Sequence, residues 1–198
     1  MAITINGSGT LSGLAVGGLP DASVTADDLA SGLASQGISM VDQWNVTSNS
    51  SINGESTITS NWSRYSTVAS VGSSIGTIGT GMSESSGIFT FPQTGLYLLQ
   101  FQVNWFFAGD EREVIINIEV SSNSGSNYTQ VALSRGHIKQ CEGTNTHSNC
   151  IASAIIDVTD ASTFRAKGRT DTGGSNVYTN GNSGATETFF RFTRLGDT

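Results

Sequence analysis

Apolar and polar residues alternate along two long stretches in the middle of the chain. After a turn around Pro92, every second side chain over 97–107 is apolar, and most of those between are amides. Residues 114–120 repeat this scheme, with Asn117 and Glu119 between apolar neighbours. Successive side chains of a β-strand point to opposite faces, so this period of two predicts strands with one face in a core. We expect Asn117 and Glu119 to lie on the outer face.

Three further strands are indicated in the second half of the chain, over 151–158, 164–169 and 188–195. Turn-forming residues are concentrated in the connections, above all in 121–127 and 172–184. Many short strands separated by turns predict an all-β fold, an antiparallel sandwich or jelly roll. Composition agrees, because 24 glycines and a charged fraction of 13% suit turns and strands better than long helices.

The first forty residues differ from the rest. Over 1–21, glycines separate small apolar residues, which leaves too little apolar bulk to fold alone. Thr25 then has the character of a helix N-cap, and Leu29 and Leu33 fall four residues apart on one helical face. The pattern predicts an extended glycine-rich arm followed by one short helix.

These features divide the chain into an anchoring arm with its short helix, 1–40, and a β-sandwich head, 42–198. An arm that cannot fold alone needs a larger partner to hold it. Its candidate anchoring residues are apolar: Ile3, Ile5, Leu11, Leu14, Val16 and Leu19.

The net charge of −7 argues against a nucleic-acid partner, which would require clustered lysine and arginine. No stretch approaches the roughly 20 apolar residues that span a bilayer, so we expect no membrane insertion. The start of the chain has no basic segment followed by an apolar run, so we expect no secretory signal. The only histidines are His137 and His147, which leaves no positioned base for catalysis. We expect neither an enzyme nor a bound cofactor.

One cluster has the side chains of a metal site: His137, Cys141, His147 and Cys150. Zinc accepts histidine and cysteine, but this spacing matches no standard zinc framework. A disulfide at a hairpin tip or two free thiols is the favoured interpretation, and the sequence leaves these two open.

Two groups of charges have alternative interpretations. Carboxylates at 110, 111 and 113 could chelate calcium, although a solvated loop is the favoured interpretation. Arg165, Lys167 and Arg169 alternate with uncharged residues and would align on one face of a strand. They could bind an anionic glycan or a neighbouring subunit, but cross-strand pairing with acids such as Glu119 is favoured.

Residues 87–97, GIFTFPQTGLY, resemble the G-x-F-x-x-P-x-x-G-x-Y core of the complement globular-head family, which shares a jelly roll with the tumour necrosis factor ligands. Residues 189–195, FFRFTRL, are similar to the aromatic closing strand of those heads. The glycine-rich arm joined to such a head also looks like structural proteins of marine bacteriophages.

The resemblance implies a compact homotrimer, ligand recognition on exposed loops and, in some members, calcium near the three-fold axis. The aromatic side chains expected in the core and trimer are Phe89, Tyr97, Phe101, Trp105, Phe190 and Phe192. The candidate recognition loops lie in 121–127, 141–150 and 172–184, with candidate residues Asn123, Asn127, Asn145, His147, Asn176 and Tyr178. Apolar residues opposite the main core, at 96, 98, 106 and 115, need cover that one sandwich does not give.

The leading hypothesis is a virion protein of a bacteriophage, a trimeric fibre or spike held by residues 1–40 that presents its head to the host surface. A capsid decoration or cement trimer is the first alternative. A soluble lectin-like head made by a cell is the second.

Overall fold

The computed structural model describes residues 38–64, 77–141 and 144–198, together with the backbone of Thr4–Ile5 (β1) and Leu11–Ser12 (β2). The chain divides into two units, Met1–Gly37 and Ile38–Thr198. In the first unit β1 and β2 pair antiparallel. The predicted short helix lies outside the described residues, as do the side chains of all six candidate anchoring residues.

The second unit is all-β, and its described residues contain no α-helix. Accordingly, no helix in this part of the chain is long and apolar enough to cross a membrane. The strands are β3 (Met40–Val46), β4 (Ser50–Ile52), β5 (Ser56–Thr57), β6 (Trp62–Ser63), β7 (Thr77–Ile78), β8 (Ser83–Ser85), β9 (Ile88–Thr90), β10 (Gly95–Phe107), β11 (Glu111–Ser121), β12 (Thr129–Ile138), β13 (Thr146–Val158), β14 (Arg165–Thr172), β15 (Val177–Thr179) and β16 (Phe189–Gly196). The head therefore begins by Met40, whose side chain is fully buried, two residues before the predicted start.

Two antiparallel sheets form a sandwich. Sheet 1 is built on β10, which pairs with β13 along its whole length on one side and with β16 and β15 on the other. Beyond β16 lies β3, which pairs with β6 and β7, and β4 lies beyond β15. Sheet 2 has the order β12, β11, β14, β9, β8, with β5 also paired to β14. The chain crosses repeatedly between the sheets, as a jelly roll does.

The period of two in the sequence produces the inner face of β10. Its odd-numbered side chains from 97 to 105 have no exposed surface, while the even-numbered ones are half-buried or exposed. The even-numbered apolar residues of β11 are also buried, and among them only Val120 has exposed surface, 9%. All six aromatic residues predicted for the core are fully buried within this one chain: Phe89, Tyr97, Phe101, Trp105, Phe190 and Phe192.

Phe89 of sheet 2 is the ring that joins the two inner faces. Its centroid lies 5.3 Å from that of Phe190 and 5.1 Å from that of Phe192, both on β16. The same centroid lies 5.8 Å from that of Trp44 on β3 and 5.3 Å from that of Trp62 on β6. Most of these contacts are edge-to-face, the arrangement that ring quadrupoles favour.

Two outward-facing residues of sheet 2 are more buried than the sequence pattern predicts. Asn117 and Glu119 point outward from the core, but only 1% and 8% of their surfaces are exposed. The Glu119 carboxylate lies 3.1 Å from Lys167 Nζ and 3.4 Å from Arg169 Nε. The predicted cross-strand pairing is therefore confirmed. The long side chains of β14 cover β11, which a simple inside–outside alternation does not foresee.

A second ion pair, between Asp42 of β3 and Arg64, lies at one side of sheet 1. Asp42 has no exposed surface, and its carboxylate accepts hydrogen bonds at 2.7 Å from Arg64 Nε and from the Met82 N–H. Trp44 Nε1 donates to the same carboxylate at 2.9 Å, and the Arg64 guanidinium lies over the Trp44 ring. The carboxylate thus accepts four hydrogen bonds, two of them from the Arg64 guanidinium, which compensates this buried charge.

Substitution of Gly168 tests how tightly the two inner faces meet. A Cβ atom at Gly168 would lie 2.6 Å from the Phe101 ring, closer than real contacts allow. We expect Gly168→Ala to destabilise the fold by about 1–3 kcal/mol, because the ring has no free space to move into. Urea unfolding measures the change. Gly196→Ala is the matched control, since a Cβ there meets nothing within 4 Å. Equal stability of the two variants would contradict this packing.

Candidate functional site

The six candidate recognition residues do not all lie on loops. Asn123 and Asn127 are in the loop between β11 and β12, and Asn145 is exposed just before β13. His147 and Tyr178, in contrast, are strand residues of β13 and β15, so the prediction that they belong to loops was wrong. Strand β13 begins at Thr146 and β15 interrupts the segment 172–184, because both pair with the outer part of β10.

Two of the loop residues, Asn123 and Asn176, use their side chains for hydrogen bonds within the chain. Asn123 Oδ1 accepts a hydrogen bond of 2.8 Å from Ser121 Oγ and one of 3.0 Å from the Asn127 N–H. Asn176 Oδ1 accepts one of 3.0 Å from Asn53 Nδ2. Side-chain bonds of this kind shape the loop itself.

The outer face of sheet 1 carries the exposed apolar surface. Here β10 presents its even-numbered residues and β13 its odd-numbered residues, which lie opposite one another in register. The row of β10 has apolar side chains at both ends and amides between them. In the row of β13, Ile155 and Ile151 alternate with polar residues, and Asp157 lies opposite Leu96. Of the four residues predicted to need cover, Leu96, Leu98 and Phe106 belong to this face, whereas Ile115 lies on sheet 2.

One end of this face is aliphatic. We define the aliphatic patch as Leu96, Leu98, Ile151 and Ile155. Leu98 lies directly opposite Ile155, and 65% of the Ile155 surface is exposed. Ile151 and Leu96 are 48% and 37% exposed. Among the described strands β13 pairs only with β10, so its other backbone edge, next to the patch, is unpaired.

The other end is aromatic. We define the aromatic patch as His147, Phe106 and Tyr178, which lie side by side on β13, β10 and β15. The centroid of Phe106 is 5.1 Å from that of Tyr178, with the rings 20° from parallel. It is 5.9 Å from that of His147, at 33°. His147 Nδ1 also lies 3.1 Å from the side-chain nitrogen Nδ2 of Asn180.

A polar band on β10 separates Leu98 from Phe106. Its side chains, Gln100, Gln102 and Asn104, are half-buried, because the segment 180–188 runs along the edge of this face. The Asn180 N–H donates to the Asn104 carbonyl at 2.7 Å, and Gln102 Nε2 donates to the Glu187 carbonyl at 3.0 Å. The face is therefore made of two chemically different surfaces rather than one.

The acidic residues at 110–113 each have a separate partner. Asp110 forms an ion pair with Lys139, and that hydrogen bond together with one from the Gln140 N–H lowers the pKa of Asp110. Glu113 pairs with Arg135 at 2.9 Å. Burial would raise the pKa of Glu111, but hydrogen bonds, the largest from Ser175, outweigh it and the pKa is lowered. These partners disperse the candidate calcium ligands.

The candidate zinc residues are also dispersed. Both cysteines are free thiols: Cys141 is exposed, and Cys150 is buried on the inner face of β13, where burial raises the pKa of its thiol. His147 faces the opposite side of the same strand. No group of three metal-ligating side chains converges anywhere within residues 38–64, 77–141 and 144–198.

Comparison with known proteins identifies the fold. No family model and no curated protein sequence matches the chain. Among solved structures it is similar to Eiger TNF from S. frugiperda, with a TM-score of 0.58 and 13% identity over 82% of this chain and 96% of that one. It is also similar to murine APRIL, with a TM-score of 0.52 and 12% identity over 79% of this chain and 98% of that one. The head therefore has a tumour necrosis factor-like jelly-roll fold.

Thiol reactivity distinguishes the two cysteines. We expect native protein, prepared without reductant, to react rapidly with Ellman's reagent at Cys141 alone, because Cys150 is buried and its thiolate is disfavoured. Unfolding in guanidinium should expose Cys150 as well. Cys141→Ser should abolish the native reaction, whereas Cys150→Ser should keep it. An unfolded wild-type chain without any free thiol would show a disulfide and contradict the structure.

Proposed function

We propose that this chain is a structural protein of a bacteriophage virion, a homotrimeric fibre or spike that is held by its N-terminal arm and presents its head for host attachment. The observation that carries the trimer is the aliphatic patch beside the unpaired edge of β13. Large apolar side chains that are 37–65% exposed on a rigid sheet are typical of an interface.

The position of the patch favours closed rotational assembly. Leu98 and Ile155 lie on a sheet face, while the backbone edge of β13 is at right angles to it, at the border of the same sheet. A contact that joins an edge of one subunit to a face of the next is heterologous, and such a contact forms a ring when its rotation closes. The tumour necrosis factor-like fold supports three subunits, the number that the resemblance implies.

The virion role is supported by the division of the chain into a glycine-rich leader and a head. Met1–Gly37 forms a unit distinct from Ile38–Thr198, as an attachment segment would. The rigid sandwich supplies exposed surfaces for a host ligand. The resemblance of arm plus head to structural proteins of marine bacteriophages favours a virion over a cellular partner.

Charge introduction at the aliphatic patch tests the trimer. We expect Ile155→Arg to convert the wild-type trimer into monomer, because three buried guanidinium groups without partners would oppose assembly. Analytical ultracentrifugation measures the mass, and circular dichroism checks the fold. Val131→Arg is the matched control, since Val131 is 40% exposed on sheet 2. A monomeric wild type, or a variant that remains trimeric, would rule out this interface.

Truncation tests the anchoring arm. Removing residues 1–37 leaves β3 intact and should yield a folded head that no longer associates with phage particles, whereas the full chain does. Immunogold imaging of intact particles locates the protein. Labelling of a tail or spike supports an appendage, and labelling over the whole capsid at capsid-like copy number would support a decoration protein instead. Absence from particles would favour a soluble lectin-like head.

A further inference from the structure

The aromatic patch forms a continuous surface across three neighbouring strands. Phe106 is the central ring, with Tyr178 nearly parallel on one side and His147 tilted on the other. Tyr178 is 40% exposed and His147 is also exposed, so the outer side of the patch is open in the single chain. Three adjacent rings whose outer side is open on a rigid sheet are typical of a ligand-binding surface.

Amide and hydroxyl groups surround the rings. Asn180 contacts His147 directly. Asn149 follows His147 on the outward row of β13, and Ser51 lies opposite Tyr178 on β4. Both are exposed, and each offers hydrogen-bond donors and acceptors. Neither the three rings nor these three bordering side chains include a carboxylate, a lysine or an arginine.

This combination matches one ligand chemistry. A hexopyranose ring has a face of C–H groups, which packs on aromatic faces, and a rim of hydroxyl groups, which pair with amides and hydroxyls. The C–H bonds carry partial positive charge and the aromatic face is negative, so the contact is electrostatically favourable. A sialylated or otherwise anionic sugar would need a cation, and the patch supplies none among its described side chains.

We propose that the aromatic patch binds a neutral hexopyranose unit of a surface glycan. The proposal deepens the host-attachment part of the proposed function and rests on it for the choice of a surface glycan. The site is distinct from the aliphatic patch: the nearest members of the two, Ile151 and His147, are four residues apart on β13, about 13 Å at the usual strand rise. Asn149 lies between them on β13, and Asn104 lies opposite Asn149 on β10.

The test uses the full chain on an array of glucosides, galactosides and mannosides beside sialylated and sulfated glycans. We expect binding to a neutral hexopyranoside and none that depends on an acidic group. Tyr178→Ala should lower the affinity for the selected glycoside by about tenfold or more, because the stacking surface is lost. Tyr178→Phe should restore binding, since it keeps the ring. Leu195→Ala is the matched control, because Leu195 is 45% exposed and lies outside the patch.

Two results would overturn this site. One is an array without binding to any neutral glycoside. The other is a Tyr178→Ala variant whose sedimentation shows loss of the trimer, which would make the aromatic patch a contact with a second copy of the chain. Particle imaging keeps this proposal distinct from the proposed function. A head found on virions that binds no sugar overturns the glycan site alone, and a head that binds sugar but is absent from virions overturns the virion role alone.

Discussion

The packing of aromatic rings between the two sheets is the constraint on which the rest of the head depends. Phe89 on the short strand β9 contacts rings from three strands of the facing sheet, so one side chain ties β3, β6 and β16 to sheet 2. On β14, Gly168 leaves room for Phe101 of the facing sheet. Interiors of this density tolerate little change in volume, and the relative positions of the sheets are therefore fixed.

That fixed position determines which surfaces remain for other molecules. With the odd-numbered side chains of β10 in the core, its even-numbered side chains must face outward, and several of them are apolar. The segment 180–188 runs along the edge of that face, where it meets the amide side chains at 102 and 104. Both ends stay open, one aliphatic and one aromatic, which gives a single sheet face two different kinds of contact.

Sheet 2 behaves differently because its outward charges find partners within the chain. Glu119 is held by Lys167 and Arg169, and Arg169 also reaches Glu55 at 2.7 Å. Around the turn after β10, each acid is paired with a different neighbour, with Asp110 bound to Lys139. Charges used in this way stabilise local structure and are poorly placed to bind a ligand.

The sequence by itself determined the sandwich and its core. A period of two along one strand is enough to show which of its side chains share a face, without reference to any other strand. The six core aromatics and the cation row at 165–169 could be predicted for this reason. Whether a face is covered depends on residues far away in the chain, so only the tertiary structure decided that Glu119 is buried. The same reason explains why His147 and Tyr178 looked like loop residues. They meet at Phe106 because two strands distant in sequence pair with the same end of β10, and no local pattern records that pairing.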